Sequence, residues 1–170
     1  MTSPVRWRLW GPASGIGLIA AVLAFALDQA HKYWMLDVYR IAERGRVEIT
    51  PFFDLVMAWN KGVSYGLFAQ HSDMGRFVLI GVSLLAVAGL LIWMANSPTR
   101  LAGLSLGLIV GGALGNLTDR TVHGAVADFF HFHYGEFSWY IFNVADVAIV
   151  AGVIGLLVDW MLQDRAGRAG

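Results

Sequence analysis

Asn116-Leu117-Thr118-Asp119-Arg120, Val126-Ala127-Asp128-Phe129 and Phe142-Asn143-Val144-Ala145-Asp146 are polar blocks close together in the chain, and the first and last are each fused to a long apolar run. Ionisable groups at membrane depth cost about 2.5–3.5 kcal/mol each on insertion scales, so a cluster at the ends of apolar segments marks a functional site. Asn143 and Asp146 are three positions apart and Asn116 and Arg120 four, spacings that predict a shared helix face for each pair. Two helices would then aim polar groups at Asp128 between them.

The rest of the chain supports a membrane setting. Its 170 residues have the length of one domain, 57% are apolar and only 14% are charged, against about 25% charged in soluble domains. An integral membrane protein of a single domain, residues 1–170, is the expectation. Formal net charge is zero, which leaves no basic surface for nucleic acid. With no cysteine, disulfides, thiolate metal sites and cysteine nucleophiles are excluded.

The amino-terminal tail carries Arg6, Arg8, Trp7 and Trp10 and leads into an apolar run from Ala13. A cleavable signal peptide is the competing reading, but the run continues through Asp28 and Lys32 to Leu36 instead of stopping at a small-residue cleavage site. Spans are predicted at 14–36, 77–95, 101–118 and 141–162, each close to the roughly 20 residues a bilayer core requires. The short Asn96–Arg100 connector makes the second and third spans antiparallel neighbours. The two tails and this connector hold Arg6, Arg8, Arg100, Arg165 and Arg168 with one acid, Asp164. The two longer connectors hold six basic residues against eight acids. The positive-inside rule therefore predicts cytoplasmic termini.

The long outer connector, residues 37–76, alternates apolar and polar side chains near Arg46–Pro51 and is rich in strand formers from Phe52 to Trp59. It predicts a small extracytoplasmic antiparallel sheet, followed by a short helix or lid over 63–76. Gly103, Gly107, Gly111 and Gly115 form a stripe on the third span, read as a packing face within the chain.

Asp128 and Asp146 are the candidates for chemistry. Peptide hydrolysis without metal or covalent nucleophile needs one carboxylate to take a proton from water and a protonated one to polarise the scissile carbonyl. A close pair supplies both, because like-charge repulsion makes it retain a proton. From the residues alone a structural role stands equally well, with Asp128 capping a turn and Asp146 paired with Arg120.

The blocks quoted above, with Gly112-Ala113-Leu114-Gly115 before them, Asp28-Gln29-x-x-Lys32 upstream and Asn60-x-Gly62-x-x-Tyr65-Gly66 in the connector, resemble bacterial lipoprotein signal peptidase, signal peptidase II. The similarity covers nearly the whole chain in order. It implies an intramembrane aspartyl endopeptidase of the bacterial inner membrane, which removes the signal peptide of a diacylglyceryl-modified prolipoprotein just before the lipidated cysteine. It implies Asp128 and Asp146 as the catalytic dyad, Asn60, Asn116, Arg120 and Asn143 as a shell around substrate and dyad, and Asp28, Lys32 and Asp119 as structural polar groups. No cofactor and no metal are implied, the expected partners are the lipidated substrate and membrane lipid, and the chain is expected to act as a monomer with its site at the outer face. Val63, Ser64 and Tyr65 depart from the alanines and phenylalanine common in that family, which bears on side-chain preference near the cut.

Two other readings stay open on residues alone. His131 and His133, with His123, Asp128 and Glu136 nearby, have ligand types suited to zinc. A small transporter or scaffold would also explain intramembrane charge, though not both Asn-and-Asp blocks at one edge. Asp159, near the inner end of the fourth span, is expected to be solvated and receives no role. Asp28 and Lys32, four apart on the first span, are expected to pair.

Overall fold

The computed structural model describes residues 8–62 and 73–168. Helix α1 spans Ser14–Tyr33 and runs on as one π-helical turn, Trp34–Val38. A short α2, Ile41–Arg44, leads into strands β1, Val47–Thr50, and β2, Phe53–Asn60. Helices α3, Asp73–Asn96, and α4, Arg100–His123, follow. Strands β3, Val126–Tyr134, and β4, Phe137–Ser138, precede the last helix, α5, Val144–Arg168.

Among the described residues, four helices are long and apolar enough to cross a membrane. Their outward faces carry large apolar side chains such as Leu85, 76% exposed, and Leu157, 55% exposed, which water would not tolerate in bulk but lipid covers. Helix α4 is the centre and packs against α1, α3 and α5. Its glycine stripe is an internal face. A Cβ on Gly103, Gly107 or Gly111 would run into the backbone oxygen of Ala13, just before α1, or of Gly17 or Ala21 on it, and one on Gly115 would strike the Asp28 carboxylate. Lipid tails are as apolar as leucine, so close backbone approach and buried polar bonds hold these helices together.

The sheet is four-stranded, antiparallel and ordered β1-β2-β3-β4. Beneath it Ala127 and Phe129 pack on Met35 and Ile41, which seats the sheet on the end of α1. The β2–β3 register shifts between Leu55 and Ala58. Phe129 N–H and Phe130 N–H both donate to Phe142 O, at 3.0 and 2.9 Å. Such irregularities re-aim side chains next to functional sites, and these flank Asp128.

The structure corrects several boundaries. The third span continues past Thr118 to His123, so Asp119 and Arg120 are helical; it stops where Gly124, at φ 77°, closes the helix by donating to Arg120 O at 3.2 Å. The fourth span begins at Val144 and not at Ile141, because Phe142 bridges to Phe130 as an extended residue. Asp128 lies within a strand, not in a loop or turn. The lid expected over 63–76 falls largely on 63–72, outside the described residues, and from Asp73 the chain is already in α3. Asp159 is not solvated: it is 7% exposed.

Candidate active site

Helix α5 starts with a reciprocal cap. Asn143 Oδ1 accepts from Asp146 N–H at 3.0 Å, and Asp146 Oδ2 accepts from Asn143 N–H at 3.3 Å. This is a capping box in which asparagine and aspartate replace the more usual residues. Asp146 therefore sits in the first turn of α5, and the pair expected to share a helix face instead brackets the helix start. Asn-x-x-Asp directly before an apolar run is a start signature, which is the signal that could have found it.

The amides of Asn116 and Asn143 link the two aspartates. Asn116 Nδ2 donates to Asp146 Oδ1 at 2.9 Å, and Asn116 Oδ1 accepts from Asn143 Nδ2 at 3.0 Å. Asn143 Nδ2 also reaches Asp128 Oδ1 at 2.6 Å, while Asn60 Nδ2, from the end of β2, reaches Asp128 Oδ2 at 3.1 Å. Both oxygens of Asp128 thus face amide donors. Burial, then the neighbouring charge of Asp146, push the Asp128 carboxyl up to about 7, against the opposing pull of the Asn60 and Asn143 hydrogen bonds and the Lys32 charge.

Below them lies a buried charge cluster. Lys32 Nζ is 2.8 Å from both Asp28 and Asp119 and donates to Asn116 Oδ1 at 3.3 Å. Asp28 Oδ1 accepts from Ala145 N–H at 2.9 Å, placing a carboxylate from α1 at the amino end of α5. Asp119 Oδ2 accepts from Ala127 N–H at 3.0 Å, which pins β3 one residue before Asp128. Gln29 Nε2 donates to Asp28 and Asp119, a role the sequence did not single out. Each member of the expected structural trio therefore holds a backbone or amide group beside one of the two aspartates.

Arg120 donates to Gly62 O at 2.8 Å and makes no ion pair with Asp146 among the described residues. Its Nε is buried without a partner there. Asn60, Asn116, Arg120, Asp128 and Asp146 line a recess of about 170 Å³ together with Val126, Tyr140 and Ile141. Ile141 was missed because it was read as the first residue of the fourth span, and Tyr140 because it fell in the connector before that span. A second, apolar groove of about 420 Å³ starts at Asp146 and runs along Phe142, Val147, Val150 and Ile154.

The histidines are not gathered around Asp128. His133 Nε2 and His131 Nδ1 lie 2.8 and 3.4 Å from Asp54, whose carboxylate also meets Arg46 at 2.6 Å. Burial pushes the Asp54 carboxyl up, but the hydrogen bond and charge of Arg46, with the two histidines, outweigh it and hold it below its ordinary value. His123 packs on Trp59. Among the described residues no group of three such side chains is placed to hold a metal ion.

Fold and site together define a multi-pass membrane protein with two aspartates in a small polar recess at the ends of its helices. The signal peptidase II family profile matches residues 20–162. Lipoprotein signal peptidase of Nitrobacter hamburgensis is 54% identical over 157 residues, covering 90% of this chain and 96% of that protein. The protein of the same name from Methylobacterium sp. strain 4-46 is 53% identical, covering 91% and 93%. A solved bacterial membrane enzyme shares the fold at TM-score 0.76 and 22% identity, covering 95% of each chain. The chain belongs to the signal peptidase II family, and so is a membrane-embedded peptidase.

Proposed function

We propose that this chain removes signal peptides from diacylglyceryl-modified prolipoproteins by direct attack of water, with Asp128 and Asp146 as the dyad. The observation that carries this is the recess itself, where both carboxylates line one space of about 170 Å³, room for several waters, and each is held in place by amide donors. Near neutral pH Asp128 is the proton-bearing partner. Its proton goes to the scissile carbonyl oxygen as water attacks the carbon and Asp146 takes the water proton. The tetrahedral diol then collapses, Asp146 giving its proton to the departing amine and Asp128 recovering one from the diol hydroxyl. The titration belongs to the pair.

Arg120 and Asn60 are the substrate-facing members of the shell. Arg120 holds the Gly62 carbonyl and so fixes the chain just after Asn60, and its side chain lines the recess where a substrate carbonyl would enter. The groove along Val147, Val150 and Ile154 suits an acyl chain whose glyceryl end reaches Asp146. Each buried methylene contributes about 0.8 kcal/mol and two chains anchor firmly, so the lipid holds the scissile bond at the depth of the carboxylates. Incubating the purified protein with a diacylated prolipoprotein tests the reading: release of the signal peptide before the lipidated cysteine is expected, and no release, or a cut elsewhere, refutes it.

A further inference from the structure

At the opposite end of the bundle, Asp159 lies thirteen residues beyond Asp146 on α5, roughly 20 Å along a helix rising 1.5 Å per residue. Its carboxylate accepts from Thr99 Oγ1 at 2.7 Å and from Gln163 Nε2 at 2.5 Å. Among the described residues no lysine, arginine or histidine forms an ion pair with it. A carboxylate buried at 7% exposure without a cation is uncommon, since buried charges are paired or neutralised. An ionised carboxylate has about four acceptor positions, and the two neutral donors leave the others open. Thr99 also caps α4, accepting from Ala102 N–H at 3.0 Å, which explains why an acid is tolerated here but not what completes its coordination.

Asp159 forms one wall of a cavity of about 510 Å³ between α3, the α3–α4 turn and α5, within the roughly 300–1,000 Å³ of small-molecule sites. The remaining walls are chiefly apolar: Trp93, Val153, Leu157 and Trp160. Trp93 and Trp160 are 53% and 67% exposed, which suits indoles at the headgroup level of a bilayer. The cavity thus combines an acyl-compatible wall open to lipid with a buried carboxylate that no cation among the described residues pairs, at the level of the two exposed tryptophans.

We propose that this cavity is a binding site for a membrane phospholipid with a primary-amine headgroup, the ammonium donating to Asp159 and an acyl chain lying along Val153 and Leu157. A primary ammonium has three N–H donors for the free carboxylate positions. A trimethylated choline headgroup has none and an anionic headgroup is repelled, so charge and hydrogen bonding together select the amine. The site is remote from Asp128 and Asp146 and does not depend on their chemistry.

The test uses the purified full chain in detergent, titrated with short-chain phosphatidylethanolamine, phosphatidylcholine and phosphatidylglycerol, with bound lipid counted by native mass spectrometry. Phosphatidylethanolamine should bind at least fivefold more tightly than either of the others, and Asp159→Asn, which keeps the shape and the acceptor for Thr99, should bring the three within twofold. Phosphatidylethanolamine brominated on its acyl chain should quench tryptophan emission more than brominated phosphatidylcholine does, and Trp160→Phe should remove most of that difference. Cleavage of prolipoprotein in detergent by Asp159→Asn within twofold of the parent shows that the variant is folded. Equal binding of the three lipids to the parent, or a preference retained by Asp159→Asn, overturns the proposal. So does a quenching difference unchanged by Trp160→Phe.

Discussion

At the scale of single residues, the two aspartates differ in what holds them. Asp146 is fastened by a helix start, through Asn143 and Asn116, whereas Asp128 is fastened by a strand and takes its donors from Asn143 and Asn60. Asp128→Asn and Asp146→Asn should each reduce cleavage by at least 100-fold, the scale of lost general acid–base catalysis, while the protein stays inserted and folded. Activity within threefold of the parent for either variant would remove the dyad. The rate should also depend on pH in one direction near neutrality. The Asp128 carboxyl, lifted to about 7, carries its proton below that value and loses it above, so kcat/KM should fall as pH rises from 7 to 9. A flat profile over that range would show that the dyad does not lose its proton there. Because the ligand types near Asp128 are amides and not imidazoles, EDTA should leave the rate unchanged, and silencing by EDTA with recovery on zinc would replace the dyad with a metal mechanism.

At the scale of elements, the site exists because α1, α4, β3 and the start of α5 are locked to one another. Lys32 is the hub: Asp28 carries its hold to α5, Asp119 to β3, and Asn116 directly to Asp146. Removing one member of a buried charge cluster leaves the others unpaired at a cost of about 3–5 kcal/mol, so Lys32→Met should lower thermal stability and activity together. The α1–α4 seam gives a sharper contrast. Gly111→Leu would drive a side chain into Ala21 and Ala24, whereas Gly89 on α3 has open space where its Cβ would stand. Overpacking costs about 1–3 kcal/mol, so the first variant should melt several degrees lower in detergent and Gly89→Leu should match the parent. Equal melting of the two would mean that the stripe is not a packing face.

At the scale of the whole molecule, the recess and the cavity around Asp159 mark the two ends of the bundle. The balance of arginine and acid predicts that the recess end faces away from the cytoplasm. The chain has no native cysteine, so Glu48→Cys on β1 should react with an impermeant maleimide added outside, and Pro98→Cys in the α3–α4 turn should not. The reverse pattern would invert the protein in the membrane. Lipid attachment to the substrate should matter through placement and not through chemistry, since the groove beside Asp146 is apolar and has no further reacting group. Unlipidated precursor should be cleaved at least tenfold more slowly, which corresponds to about 1.4 kcal/mol; equal rates on both precursors in one detergent would point to a general intramembrane peptidase.

Composition, apolar run length and the placement of acids, asparagines and arginines were enough to read four spans, a small antiparallel sheet, the internal glycine face and a polar cluster of Asn116, Arg120, Asp128, Asn143 and Asp146, whereas Asn60 entered through the family resemblance alone. These features are local or periodic, and lipid makes their cost large enough to show in the chain itself. Tertiary structure alone decided the rest. That Phe142 would bridge to Phe130 and so delay the last helix to Val144 depends on a strand distant in sequence. That Asp28 and Asp119 would serve backbone N–H groups of Ala145 and Ala127 depends on where neighbouring elements end. The attachment of His131 and His133 to Asp54 depends on β2–β3 register, which the pattern of side chains cannot specify through an irregularity. Burial of Asp159 follows from packing of α5 against the capped start of α4. Sequence could therefore name the polar groups that a membrane protein must satisfy, but only the packed helices could say which partner satisfies each.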